Sequence, residues 1–141
     1  MNNSSLRPFH LAIPVHDLEV CRSFYKNVLL MKEGRSDLKW VDFDFYGHQF
    51  VIHETGHAVL SNANQVDGYG VPVPHFGVVL TMEDWDKLAS HLRSLDIEFI
   101  IEPYIRFKGE PGEQATMFFK DPSGNAIEFK AFKSLSNLFQ K

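Results

Sequence analysis

Two stretches of this 141-residue chain carry the same order of elements, which constrains its fold more than any other feature. In the first, residues 9–15 read as an apolar strand that contains His10 near its start. Asp17 follows as a helix N-cap, and Leu18, Cys21, Phe24, Tyr25 and Val28 recur at helical spacing. The short Gly34-Arg35-Ser36 region reads as strand or loop. Strands are predicted over 40–46, where Phe43 and Phe45 alternate with Asp42 and Asp44, and over 49–54. In the second stretch, residues 75–80 form a strand that opens on His75, and Thr81 caps a helix with Trp85, Leu88, Ala89, Leu92 and Leu95 on its apolar face. Strands are predicted over 98–107, 116–119 and 126–132. Asp121-Pro122-Ser123-Gly124-Asn125 joins the last two as a turn, because Pro presets φ while Gly and Asn tolerate positive φ.

Each half is therefore β-α-β-β-β, and the fold class is α+β, with two βαβββ modules in one domain. Module one covers about 8–55 and module two 75–132. Residues 56–74, rich in Gly, Asn and Pro, read as a connection, and a connection of that length is usually functional or mobile. The tail 133–141 has Leu135, Leu138 and Phe139 at helical spacing and reads as a short docking helix.

Composition narrows the function. The chain is 13% aromatic with thirteen Phe, which suits a sheet-rich fold. A formal net charge of −4 without a dense Lys/Arg run argues against nucleic acid as a partner. The single cysteine, Cys21, rules out an intrachain disulfide, and its place on the apolar helix face makes it a small buried hydrophobe. No signal-peptide pattern and no apolar run of about 20 residues is present, so a cytoplasmic protein without a membrane partner is expected.

The histidines carry the chemistry. A lone strand histidine is usually a hydrogen-bonded structural residue. Here His10 and His75 occupy equivalent places in the repeat, so pseudo-symmetric packing would turn both imidazoles toward one cavity. Glu128 lies in the last strand between Ile127 and Phe129, whose apolar side chains face the other way. A carboxylate turned into the concave side of a sheet is costly unless paired or metal-bound. Two His and one Glu leave three positions open on an octahedral ion, as in non-haem Fe(II) sites, and also suit Mn, Ni or Co.

The N-terminal FHLAIPV-x-D with SFYKNVL, the central PHFGVVL and the C-terminal FFKDPSGNAIEF together resemble the vicinal oxygen chelate superfamily over about residues 8–132. That superfamily includes glyoxalase I, bleomycin- and fosfomycin-resistance proteins, methylmalonyl-CoA epimerase and extradiol dioxygenases. The resemblance implies a glyoxalase-like fold in which two modules form a curled mixed sheet around a metal cleft. It implies metal ligands at His10, His75 and Glu128, chelation of a substrate through two adjacent oxygens, and a homodimer. Fe(II) is favoured, with Mn, Ni, Co or Zn as alternatives.

His53, in the last strand of module one, reads as the repeat-mate of Glu128. It is the candidate acid/base beside the metal, or a fourth ligand. The chain departs from the extradiol pattern, since Phe118 stands where a Tyr is expected and no His lies between Pro103 and Asp121. It departs from glyoxalase I where His53 replaces a Glu. Arg106 and Lys108 alternate around Phe107 and are read as sharing one face that could hold an anionic substrate, with Phe118 lining the pocket. Trp40, Phe43 and Phe45 are further pocket candidates, and His57 is a candidate lid residue. The expectation is a metal-dependent dioxygenase acting on a small vicinally oxygenated substrate. The alternatives are a glyoxalase-type lyase or isomerase, and an antibiotic-sequestering protein without turnover.

Overall fold

The computed structural model describes residues 6–56 and 62–141. The chain divides into two compact units, Met1–Val59 and Leu60–Lys141. Each unit carries one five-element β-α-β-β-β path, and the chain has a mixed α+β fold.

In the first unit, β1 (His10–Val15) runs parallel to β4 (His48–Glu54), and β3 (Trp40–Phe45) pairs antiparallel with both β4 and β2 (Lys32–Asp37), giving the order β1-β4-β3-β2. The Gly34-Arg35-Ser36 region is thus strand. Asp17 caps α1 (Leu18–Ser23) by accepting from the Val20 amide at 3.0 Å. A π-helical turn, Phe24–Val28, continues it. Tyr25 meets Phe50 with ring centroids 4.8 Å apart, so Phe50 and Ile52 face the helix. Their neighbours Gln49, Val51 and His53 then point to the open face. Cys21 is buried, as its helix position predicts, and Phe43 and Phe45 are core residues rather than pocket walls.

The second unit opens with a hairpin of β5 (Asn62–Val66) and β6 (Tyr69–Val73), inside the segment read from sequence as a bare connection. Asp67 and Gly68 both have positive φ, 52° and 79°, the type I′ turn whose twist matches a two-stranded ribbon. The Asp-Gly pair was the signal, masked by the surrounding Gly, Asn and Pro. The predicted strand 75–80 is two short pieces, β7 (His75–Phe76) and β8 (Val79–Leu80), both parallel to β11 (Ala126–Phe132). β10 (Gln114–Lys120) and β9 (Phe99–Arg106) complete the order β7-β11-β10-β9. Thr81 caps α2 (Met82–Ser94) by accepting from the Asp84 amide at 3.1 Å. Trp85, Leu88, Ala89 and Leu92 are buried, and Trp85 Nε1 donates to the Phe129 carbonyl at 2.9 Å. Leu95, read as part of that face, lies past the helix end and is exposed. The tail forms a 3-10 turn, Leu135–Asn137, and Leu135 and Phe139 are exposed rather than docked.

The Asp121–Asn125 turn fixes how β10 meets β11. Asp121 Oδ1 accepts from the Ser123 and Asn125 amides, both at 2.9 Å, and Oδ2 accepts from Asn125 Nδ2 at 2.8 Å. All three side chains are buried. Asp121→Ala would leave these donors without their acceptor, so we expect a loss of about 2–4 kcal/mol of unfolding free energy. Urea melts would measure it, and a loss below about 0.5 kcal/mol would contradict this role for the turn.

Candidate metal centre

Glu128 projects from β11 on the side opposite Ile127 and Phe129, both wholly buried toward α2. His75 begins β7, the parallel neighbour of β11, paired with Ala126. The two side chains meet with His75 Nε2 3.0 Å from Glu128 Oε2. The far end of each is held as well. His75 Nδ1 lies 2.6 Å from the Pro72 carbonyl, which fixes that nitrogen as the donor and turns Nε2 toward the carboxylate. Thr116 on β10 donates to Glu128 Oε1 at 2.7 Å. Phe118, cross-strand partner of Glu128, meets the His75 ring in a T-shaped contact with centroids 5.0 Å apart.

The pair shifts both groups. Burial pushes the Glu128 carboxyl up, but hydrogen bonds from His75 and Thr116 and the charges of Lys130 and His75 bring it below its ordinary 4.5. The Glu128 acceptor raises His75 above its ordinary 6.5, against burial and with help from the Pro72 carbonyl. In metal-free protein, the Glu128 contribution to stability is present above the ordinary carboxyl value and is lost as pH falls through the lowered one. The His75 contribution is complete below the ordinary imidazole value and is lost as pH rises through the raised one. The pair should therefore stabilise most between pH 4.5 and 6.5. Urea melts across pH should show Glu128→Gln removing that maximum, and an unchanged profile would contradict the coupling.

These groups lie in a cleft of about 200 Å³ within the second unit. Its walls include Val71, Ile101 and Phe118, which pack as one apolar cluster, and its polar lining includes Tyr104, Arg106 and Lys130. Tyr104 donates to Asp67 Oδ2 at 3.0 Å, and burial followed by that acceptor pushes its phenol up to about 12. Arg106 meets the same carboxylate, with Nε 2.5 Å from Oδ2 and Nη2 3.3 Å from Oδ1.

His10 lies on the open face of the first unit, its Nδ1 2.9 Å from Gln49 Oε1, leaving Nε2 as the outward nitrogen. Among the described residues, no three His, Cys, Asp or Glu side chains gather in one metal-binding group. The structure thus brings His75 and Glu128 together and places His10 in the other unit.

The repeat register changes the reading of His53. His10 pairs with Gln49 as His75 pairs with Ala126, so the position equivalent to Glu128 is Val51, two residues along β4. His53 corresponds to Lys130, and it is exposed on the open face, across from Trp40. Lys108 also departs from expectation. β9 ends at Arg106 and Phe107 has φ of 52°, so the strand alternation stops and Lys108 sits in an exposed turn rather than beside Arg106. His57 lies outside the described residues. Sequence reasoning missed Thr116 and Asp67. The alternation of Thr116 with Phe118 along β10 was a usable signal, whereas Asp67 had none before the hairpin was known.

Comparison with known proteins agrees with this architecture. The model of the Glyoxalase/Bleomycin resistance protein/Dioxygenase superfamily matches residues 7–129. A crystal structure of a glyoxalase/bleomycin resistance protein/dioxygenase from Alicyclobacillus acidocaldarius is 31% identical, covers 99% of this chain and 100% of its own, and superposes with a TM-score of 0.77. A mutant of the genomically encoded fosfomycin resistance protein from Listeria monocytogenes, complexed with Mn(II) and 1S,2S-dihydroxypropylphosphonic acid, is 21% identical over 98% of each chain, TM-score 0.69. Lactoylglutathione lyase from Agrobacterium tumefaciens is 15% identical over 100% of each chain, TM-score 0.64. The last two share the fold. A search of curated proteins gave no match. No described helix is long and apolar enough to cross a membrane. With a family model spanning nearly the whole chain and the paired βαβββ architecture in place, the chain belongs to the glyoxalase/bleomycin resistance protein/dioxygenase superfamily.

Proposed function

We propose that this protein is a divalent-metal-dependent enzyme acting on a small molecule with two adjacent oxygens, its metal held by His10, His75 and Glu128. The observation that carries this is the His75–Glu128 pair, whose donor atoms converge at 3.0 Å while their far sides are tied to Pro72 and Thr116. Such outer hydrogen bonds are what orient metal ligands. Two imidazoles and one carboxylate fit Fe(II), and also Mn, Ni, Co or Zn. When bound, the ion would polarise two chelated substrate oxygens. The vicinal diol found with Mn(II) in the Listeria relative supports the same chemistry.

The chain's own residues orient and charge the site. The contact between Pro72 and Nδ1 keeps the His75 ring from turning, and Thr116 holds one carboxylate oxygen in place. Tyr104 stays protonated at neutral pH and acts as a donor. Arg106 and Lys130 give the cleft positive charge suited to an anionic substrate, with Phe118 as its apolar wall.

Within this class we place dioxygenation with Fe(II) first. It calls for a base beside the substrate, and His53, on the open face that also carries His10, is the candidate. One observation favours a lyase or isomerase instead: by strand register His53 corresponds to Lys130 and not to Glu128. Metal-free protein reconstituted with Fe(II) and offered catechols or enediols should consume oxygen. Turnover of hemithioacetals by Ni(II)- or Zn(II)-loaded protein without oxygen uptake would reverse the order. Tight ligand binding with no turnover under any metal would give a sequestering protein.

The third ligand can come from the same chain or from a second copy in a homodimer. The second arrangement predicts complementation. His10→Ala and His75→Ala proteins should each lose metal. After unfolding and refolding together, half of the dimers are mixed and each has one intact site of two, so binding should return to about a quarter of wild type. No recovery, or a monomer mass by light scattering, would show the site to be built within one chain.

A further inference from the structure

The proposal concerns the type I′ hairpin and the cation it covers. Asp67, at the hairpin tip, is held by two groups from β9, the Tyr104 hydroxyl at 3.0 Å and the Arg106 guanidinium. Both β9 residues line the cleft that contains His75 and Glu128, and so does Val66, the residue before Asp67. Arg106 is poorly served by this partner. Its Nε is buried and has no aligned hydrogen-bond acceptor, although Asp67 Oδ2 is 2.5 Å away. Nη2 reaches Oδ1 only at 3.3 Å, and Nη1 reaches Gln114 Oε1 only at 3.5 Å. A guanidinium fork makes two parallel bonds to a carboxylate that is free to align with it. Asp67 Oδ2 also accepts from the Tyr104 hydroxyl at 3.0 Å, so the carboxylate is shared between two donors and is not free to align with the guanidinium.

We propose that Asp67 is a built-in stand-in for a substrate carboxylate, occupying Arg106 until a small carboxylic acid entering the cleft displaces it and releases the hairpin tip. This deepens the function proposed above by naming the substrate class, an acid whose carboxylate sits on Arg106 and Tyr104 while its other oxygens face His75 and Glu128. Three features support it. The occupant is itself a carboxylate. The cleft, at about 200 Å³, is smaller than the roughly 300–1,000 Å³ of drug-sized sites, so a molecule reaching Glu128 also comes near Arg106. Lys130 lines the same cleft, so a second positive charge favours an acid there over a neutral ligand.

The experiment uses metal-free protein and propionate, a carboxylate with no second oxygen function to chelate a metal. Propionate is titrated while the Arg106 Nε–H signal is followed by NMR, assigned by its loss in Arg106→Gln. Propionate should shift that signal and speed hydrogen exchange of the β5–β6 amides. Asp67→Asn should tighten propionate binding about tenfold, the change expected if the internal carboxylate holds Arg106 about nine-tenths of the time. Tyr104→Phe, which weakens the hold on Asp67 without touching Arg106, should speed exchange of the same amides before any ligand is added. It keeps the test alive if the Asn variant does not fold. An unmoved Arg106 signal, or equal propionate affinity in wild type and Asp67→Asn, would overturn the proposal. Tighter binding of methylphosphonate than of propionate would overturn the carboxylate assignment. Because no metal is present, failure here is separate from failure of the metal site, which metal content in His75→Ala reports.

Discussion

Gly77→Ala is expected to destabilise the protein by about 3 kcal/mol or more, at or beyond the upper end of ordinary overpacking. β7 and β8 keep one constant register on β11, and Gly77, between them, comes opposite Glu128. A Cβ built on Gly77 would land on the Glu128 carbonyl oxygen and lie 2.6 Å from its carbonyl carbon. The constraint is space rather than backbone angle. A flexible side chain could swing away from a new methyl, but a backbone carbonyl in a sheet cannot. The strand would have to move off β11, breaking the His75–Ala126 pairing and the Val78 carbonyl's acceptance from the Lys130 amide at 3.3 Å. For a domain of ordinary stability that is a large share of the total. Urea denaturation measures it directly. An unchanged midpoint would mean that β7 is not held against β11 as described.

His75→Ala is expected to weaken metal binding more than about 100-fold, beyond the 10- to 100-fold that loss of an outer hydrogen-bond partner causes. Thr116→Val, which removes only the hydroxyl that holds Glu128 Oε1, should fall within that smaller range and cost about tenfold. The gradient between the two variants is the informative result, because a purely structural His75–Glu128 pair would give neither. Competition against a coloured chelator gives the affinities, and elemental analysis gives the content of purified protein. Retained metal in His75→Ala would remove the central claim. His75→Ala also strips Glu128, whose side chain is only 13% exposed, of a hydrogen-bond partner, so urea melts must accompany the titration.

Much of this architecture was legible from periodicity. Asp17 and Thr81 cap the two helices as their side-chain chemistry demands, and the Asp121–Asn125 turn folds as its residue types predict. His75 and Glu128 meet because one opens a strand parallel to the strand that carries the other, a relation the repeat implies. What stayed hidden depended on register and on long-range pairing. Counting along strands made His53 the mate of Glu128, but pairing between strands, which local pattern does not encode, puts Val51 there. Arg106 and Lys108 alternate in sequence, yet the positive φ of Phe107 ends the strand between them. The Asp67–Arg106 contact joins residues far apart in the chain, and no local signal announces it.

The asymmetry between Val51 and Glu128 sets the charge of the proposed centre. If both modules had carried a carboxylate at this register, a divalent ion would be neutralised by the protein alone. With an apolar Val51 in one module and Glu128 in the other, the proposed set of two neutral imidazoles and one carboxylate would leave such an ion with a single positive charge uncompensated. A substrate that gives up one proton on chelation restores neutrality, whereas a doubly deprotonated one overshoots it. A duplicated fold with its acid in only one copy would, on the proposed metal site, favour a singly deprotonated ligand.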